Sequence, residues 1–280
     1  MNFNVQNEYG KLRRVVINAV PFLNMEGIEG QKNKDITTGQ AELVKLFGDN
    51  GIDLVGLNTE KIYGKHFSWA RDPFIVIGDK FFMINRTPGA ARKEKTELAR
   101  QLKIDYKDGN IITFSHEENT LEGGDVIPHN DTVYVGQDGS ATNSTGLDFL
   151  HKHIGDKFKI VPMKMLADTD GIPIRHLDCA FNPLSKDEAL IYPKGLTRRA
   201  QLEVFNNFNT IEVTGDEQRF LGTNVFSLGD RHVVSQTRHE RINKILQDRG
   251  FTVSAVNFGN TYSFGGAVRC ATSPLIREKE

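Results

Sequence analysis

Apolar positions along this chain follow two alternating rhythms. Short apolar runs come in pairs around a polar turn: "DPFIVIGDKFFMI" turns at Gly-Asp, "GDVIPHNDTVYVG" at His-Asn-Asp, "DCAFNPLSKDEALIYP" at Ser-Lys-Asp and "NVFSLGDRHVVS" at Gly-Asp. Each pair reads as a β-hairpin of buried or half-buried strands. Between them, "RKEKTELARQL", "STGLDFLHKHI", "TRRAQLEVFNNF" and "RHERINKILQDRG" place apolar residues at i, i+3 and i+4. That spacing predicts amphipathic helices. No linker or low-complexity tract divides the chain, so one domain is expected over residues 1–280.

The polar residue that opens each unit carries more information than the apolar runs. Asp72, Asp125, Asp178, Asn224 and Cys270 stand 53, 53, 46 and 46 residues apart. A period near ~50 residues marks a repeat architecture. Five hairpin-plus-helix units are able to close into a ring, as propellers do. The opening residues would then face a common centre, and Cys270 would be one of them.

Composition narrows the partners. Lys+Arg of 35 against Asp+Glu of 36 gives a net charge of -1, with no basic excess to draw nucleic acid or an anionic membrane. The opening "MNFNVQNEYGKLRRVVI" has no apolar signal core, and no stretch reaches membrane-spanning length. Two cysteines without framework spacing suit a reducing compartment, so a cytoplasmic location is expected.

The candidate chemistry starts with the acids. "WARDPF" supplies Asp72, "LEGGDVI" supplies Glu122 and Asp125, and "RHLDCAF" supplies His176 and Asp178. Read as strand residues i and i+2, His176 and Asp178 share a face. Gly123 and Gly124 permit a tight bend and close backbone approach. Carboxylates and an imidazole gathered in one cavity call for a cationic occupant, either a divalent metal or an organic cation. Asp, Glu and His are competent metal ligands. A guanidinium fits better, because its planar fork of N–H donors pairs with two carboxylates while a thiolate attacks the central carbon. "GGAVRCATSPLIREKE" reads as a glycine-led strand in which Arg269, together with a substrate cation, would lower the Cys270 thiol pKa. His176 would protonate the leaving amine and later activate water. Glu122 would orient the imidazole or hold the substrate.

Taken together, "EYGKLRRVVI", "RDPF", "LEGGDV", "HLD" and "GGAVRCATSPLIRE" resemble, in type and order, the guanidine-modifying (amidinotransferase) superfamily. The C-terminal stretch and "HLD" are most similar to arginine deiminases, the chain length to dimethylarginine dimethylaminohydrolases. The resemblance implies an α/β fold, a five-bladed pseudo-symmetric propeller of ββαβ-type units. It makes Cys270 the nucleophile, His176 the general acid/base and Glu122 its partner, with Asp72 and Asp178 binding the guanidinium. It implies a covalent thiouronium on Cys270, resolved by water in a hydrolase or by an acceptor amine in an amidinotransferase. No cofactor or metal is expected, and the partner is a small guanidine; the oligomeric state, a homodimer included, is left open.

Two departures bear on specificity. Arginine-using members often carry Ser-x-Arg-Thr-Asn after the acidic motif, whose arginine holds the substrate carboxylate; here "GQDGSATN" has Ala141 at that place. His66 stands where arginine deiminases have an asparagine. Arg92, with Arg86 as second choice, is the candidate for a carboxylate contact, and Asp125 and Arg269 join it among the substrate-binding groups. Cys179 reads as core, Trp69 as core or substrate lining, and "TRRAQ" and "REKE" as solvated. A binding propeller without turnover is the alternative of another class; the rate of thiol alkylation separates it from an enzyme.

Overall fold

The computed structural model describes residues 2–18, 31–58, 69–84, 91–114, 120–137, 141–166, 168–259 and 265–279, without the side chains of 31–37, 91–94 and 168–169. The chain begins with strand β1 (Leu12–Asn18), helix α1 (Gln31–Asp49) and β2 (Asp53–Leu57). The hairpin β3 (Phe74–Ile77) and β4 (Lys80–Met83) follows, then α2 (Ala91–Leu102) and β5 (Ile111–Thr113). The next unit is β6 (Val126–His129), β7 (Thr132–Gln137), α3 (Ser144–Ile154) and β8 (Lys159–Lys164). A small pair, β9 (Asp168–Thr169) and β10 (Ile172–Pro173), leads to β11 (Phe181–Pro183), β12 (Glu188–Ile191), α4 (Arg198–Asn207) and β13 (Asn209–Glu212). After the short α5 (Gly215–Gln218) come β14 (Phe226–Gly229), β15 (His232–Gln236), α6 (Glu240–Asp248), β16 (Thr252–Val256) and β17 (Thr272–Arg277).

Among the described residues these strands form five three-stranded sheets and the two-stranded pair β9–β10. All five sheets repeat one rule. The first strand runs antiparallel to the second, and a helix then returns the chain to a third strand parallel to the second. Parallel pairing needs such a crossover, whereas the antiparallel pair needs only a tight turn. The fifth sheet obeys the rule with strands from both chain ends: β17 pairs antiparallel with β1, and β1 pairs parallel with β2 across α1. Residues 4–7 fasten this closure. Asn4 N–H donates to Leu275 O at 3.0 Å, Val5 and Gly78 exchange bonds of 2.9 and 2.8 Å, and Asn130 N–H donates to Gln6 O at 2.8 Å.

The hairpins and helices expected from the apolar rhythm are present, and α3 matches "STGLDFLHKHI" residue for residue. In the β14–β15 hairpin the turn falls one residue later than "Gly-Asp" suggests. Asp230 and Arg231 both hold positive φ, 51° and 56°, as a two-residue primed turn requires. First strands are buried along all or nearly all of their length, β3 throughout as Phe-Ile-Val-Ile, with Phe74 stacked on Phe81 at 4.8 Å. No helix among the described residues is long and apolar enough to cross a membrane.

The C-terminal "REKE" is not simply solvated. Arg277 is buried; its Nη1 donates to Gly10 O at 2.6 Å and its Nη2 to Ser227 O at 2.9 Å, with the guanidinium 5.2 Å over the Phe226 ring. Replacing it removes two charge-assisted bonds from a dry site. Arg277→Ala is expected to cost about 3 kcal/mol, read as a lower melting temperature, while Arg199→Ala on exposed α4 leaves it unchanged.

Candidate active site

Each first strand is entered through a turn, and the polar residues of the ~50-residue register sit in or beside those turns. Asp72 precedes β3, with its N–H donating to Trp69 O at 3.2 Å. Glu122 caps a 3-10 turn, Gly123–Asp125, before β6; His176 caps another, Leu177–Cys179, before β11. Asn224 precedes β14, and Cys270 lies in a turn before β17. His176 and Asp178 therefore do not share a strand face, and Cys270 is not on a strand. The turn residues are too short a run to reveal their geometry by alternation.

Hydrogen bonds join the five turns in a closed cycle. Gly123 N–H donates to Asp72 O at 3.3 Å, and Leu177 N–H to Asp125 Oδ1 at 2.9 Å. Thr223 Oγ1 donates to Asp178 O at 3.0 Å, and Arg269 N–H to Asn224 Oδ1 at 2.9 Å. Arg71 N–H then donates to Cys270 O at 3.1 Å, linking the last turn to the first. The two glycines make this closeness possible. A Cβ on Gly123 would lie 2.0 Å from Arg71 O, and one on Gly124 would lie 2.6 Å from His176 Nδ1.

The cycle brings Asp72, Glu122 and His176 together, their ligand-type atoms all within 4.8 Å of one another. His176 Nε2 is 2.7 Å from Glu122 Oε2, while Arg175 Nη2 donates to Glu122 Oε1 at 3.0 Å. Burial disfavours the imidazolium, but the Glu122 hydrogen bond and the charges of Asp125, Glu122 and Asp72 outweigh it, raising the His176 pKa to about 10. At neutral pH His176 is a proton donor. The same three side chains are a competent set for a divalent cation.

Cys270 is buried and unpaired with Cys179, and its Sγ accepts from Asn224 Nδ2 at 3.2 Å. Burial pushes its thiol up to about 12, and the charges of Asp178 and Asp72 act in the same direction against hydrogen bonding from Ala267 and Asn224. Arg269, expected to lower the thiol pKa together with a substrate cation, does not do so by itself. Arg269 is spent elsewhere: its Nε donates to Asp178 Oδ2 at 3.3 Å, its Nη1 to Asn182 Oδ1 at 3.1 Å, and Nη1 lies 3.2 Å from Glu8 Oε2. Asp125 is also committed internally, accepting from Leu177 N–H with one oxygen and from Thr142 Oγ1 at 2.6 Å with the other. Burial raises its pKa to about 7. Both side chains, expected among the substrate-binding groups, are engaged by internal partners.

Cys179 packs in the core as expected, its thiol 3.7 Å from Asp178 Oδ1, and Trp69 is buried with Gly266 against its indole. Ala141 is buried, with Thr142 beside it holding Asp125. Arg92 lies on α2 but its side chain is outside the described residues, as are Arg86 and His66 altogether. Three contributors went unnamed as site residues. Asn224 was legible from its place in the 46-residue register, and Arg175 from adjacency to His176. Glu8 opens the motif "EYGKLRRVVI", but its type and spacing assigned it no role.

Comparison with known proteins identifies the family. Residues 24–277 match the family model described as N,N dimethylarginine dimethylhydrolase, eukaryotic. The chain belongs to that family, within the guanidine-modifying superfamily. It is 29% identical over 283 residues to the uncharacterized protein YkgA of Bacillus subtilis (strain 168), covering 97% of this chain and 94% of that one. Its α/β fold is similar to SxtG, an amidinotransferase of the saxitoxin pathway from Microseira wollei, with a TM-score of 0.80 at 18% identity over 99% of this chain and 98% of that one. It is also similar to dimethylarginine dimethylaminohydrolase of Pseudomonas aeruginosa solved with citrulline, at a TM-score of 0.74 and 15% identity, over 94% and 99%.

The titration of Cys270 is directly measurable. In the substrate-free protein, alkylation by iodoacetamide, mapped to the Cys270 peptide, is expected to rise only well above pH 9, toward about 12. An alkylguanidine raises the rate at pH 7.5 if it occupies the carboxylate side of the thiol. A midpoint at or below the ordinary thiol value contradicts this electrostatic picture.

Proposed function

We propose that this protein is a cysteine-dependent hydrolase of a small guanidine, built as one five-bladed α/β propeller over residues 1–280 and working in the cytoplasm. The observation that carries the reading is the closed cycle of turns. It sets a thiol, two aspartates and a protonated His–Glu pair from distant parts of the chain around one centre. Five sheets of one topology, the fifth shared by both chain ends, support the propeller.

In this mechanism Asp72 and Asp178 hold the substrate guanidinium. Its positive charge offsets the carboxylates that keep Cys270 protonated, so the thiol loses its proton to solvent as the cation settles. The thiolate attacks the central carbon and forms the S–C bond. His176, an imidazolium held by Glu122, gives its proton to the departing nitrogen as the C–N bond breaks. A thiouronium remains on Cys270. Neutral His176 then takes a proton from water, whose oxygen attacks the same carbon. The S–C bond breaks, the ureido product leaves and the thiolate is restored. Arg175 fixes the free oxygen of Glu122, and Asp125 holds the His176 turn through Leu177 N–H. No step uses a metal ion or cofactor.

An acceptor amine in place of water gives amidino transfer through the same first half. The family model bears a hydrolase name and the similar SxtG structure a transferase name, so the distinction is experimental. The test is turnover across arginine, methylated arginines, agmatine, guanidinoacetate and alkylguanidines, with ureido product and released amine both measured. A ureido product whose rate ignores added amines supports the hydrolase. Product release that depends on an amine acceptor identifies a transferase. Binding without any turnover leaves the non-catalytic propeller.

Two variants sharpen the assignment. Cys270→Ser is expected to lower turnover by about 10³-fold or more while guanidine binding persists. Asp178→Asn is expected to raise KM by about tenfold or more, since a charge-assisted contact to the cation is lost. Chelation with EDTA should leave turnover intact; its loss would show that Asp72, Glu122 and His176 hold a required cation.

A further inference from the structure

The motif "EYGKLRRVVI" places Glu8 in none of these steps, yet Glu8 is more buried than Asp72, Cys270 or His176. Its Oε1 accepts from Arg71 Nη1 at 3.1 Å, and its Oε2 lies 3.2 Å from Arg269 Nη1. Those two arginines immediately precede Asp72 and Cys270 in the chain. Arg71 also reaches the neighbouring turn, with its N–H on Cys270 O at 3.1 Å and its Nε on Arg269 O at 3.4 Å. Arg269 in turn carries Asp178 on its Nε. Arg277, the third buried arginine, adds its charge to the same cluster and draws Glu8 down to about 2, with Arg269 and Arg71 the larger contributors against burial.

Two carboxylates thus face three guanidiniums in a dry interior. The division of charge matters more than the total. Arg269 is shared between Glu8 on one side and Asp178 on the other. An arginine satisfied by Asp178 alone would neutralise the carboxylate that a substrate cation needs. We infer that Glu8 is a positioning residue for the guanidinium site: by holding Arg71 and Arg269 it keeps Asp178 available to the substrate cation and fixes the turns of Asp72 and Cys270. This rests on the reading above for the identity of the cation, but not for the coupling to Cys270.

A purely structural ion pair would affect stability alone, so the test uses readouts that folding does not move. Glu8→Gln keeps the side chain's size and removes its charge; Glu8→Asp keeps the charge and withdraws it by one methylene. Cys270 is faced by Asp178, Asp72 and Asn224 from three other turns, with Arg71 and Arg269 alongside. Removing the Glu8 charge leaves more of Arg71's charge, which couples to Cys270, uncompensated, and that favours the thiolate. In Glu8→Gln the pH midpoint of Cys270 alkylation should therefore move down, while KM for the guanidine rises about tenfold with a smaller fall in kcat. Glu8→Asp should restore the midpoint and part of the KM.

Wild-type KM and wild-type alkylation midpoint in both variants, with only a lower melting temperature, overturn the proposal. If Glu8→Gln does not fold, Glu8→Asp decides: a KM raised severalfold supports the positioning role, and an unchanged KM overturns it. If the wild type turns over no guanidine, the functional reading fails by itself. The alkylation midpoint of Glu8→Gln then settles the Glu8 question, moving down or staying put.

Discussion

Everything at the centre of this molecule depends on five turns that hydrogen-bond to one another in a closed cycle. Each turn ends a loop and begins a buried first strand, so its backbone groups lie too deep to be satisfied by water. They are satisfied by the next turn instead. That requirement makes the site rigid without any strand or helix running through it. It also explains the glycine pair 123–124: one glycine lets the backbone meet Arg71 O, and the other leaves room for the His176 ring. Because the fifth turn bonds back to the first, Cys270, near the end of the chain, is held as firmly as Asp72.

Charge is the second constraint, and it decides the protonation states. Buried carboxylates beside His176 keep it an imidazolium, while burial and the carboxylates around Cys270 keep that group a thiol. On the proposed reading, a thiol and an imidazolium arranged this way stay inert until something positive arrives. A guanidinium is the occupant that changes both the thiol's charge and its neighbours' balance in one event. The arginine cluster behind the turns sets how negative the site is before that event, which gives Glu8, Arg71 and Arg269 a place in the electrostatics without contact to substrate.

Much of the fold was legible because its period is long and regular. The spacing from Asp72 to Cys270 located all five turns, and hairpin and helix signals located most elements between them. The closure was harder to read: β17 pairs with β1 at residues 12–18, at the opposite end of the chain, and β1 in turn with β2 at 53–57, a pairing that no local pattern records. Where type and spacing agree, the expected residues do come together, as with His176 and Glu122, 2.7 Å apart. Expectation and structure part where the environment engages a residue elsewhere. Arg269 looks like an activator of its neighbour, yet buried acids on its other side claim it. Asp125 has the register of a substrate ligand, yet Thr142 and Leu177 N–H, 17 and 52 residues away in the chain, each bond one of its oxygens. Arg277 has the sequence context of a frayed tail, yet it donates to carbonyls of residues 10 and 227. Long-range partners of this kind leave no trace in periodicity.

The measurement that bears most directly on the account is acid-quenched mass spectrometry of the protein during turnover of a guanidine, with peptide mapping of both cysteines. The account predicts an amidino adduct on the Cys270 peptide that forms and decays with turnover, and none on Cys179. Turnover without any adduct on Cys270, or an adduct confined to another residue, would contradict covalent catalysis at the centre of the five turns.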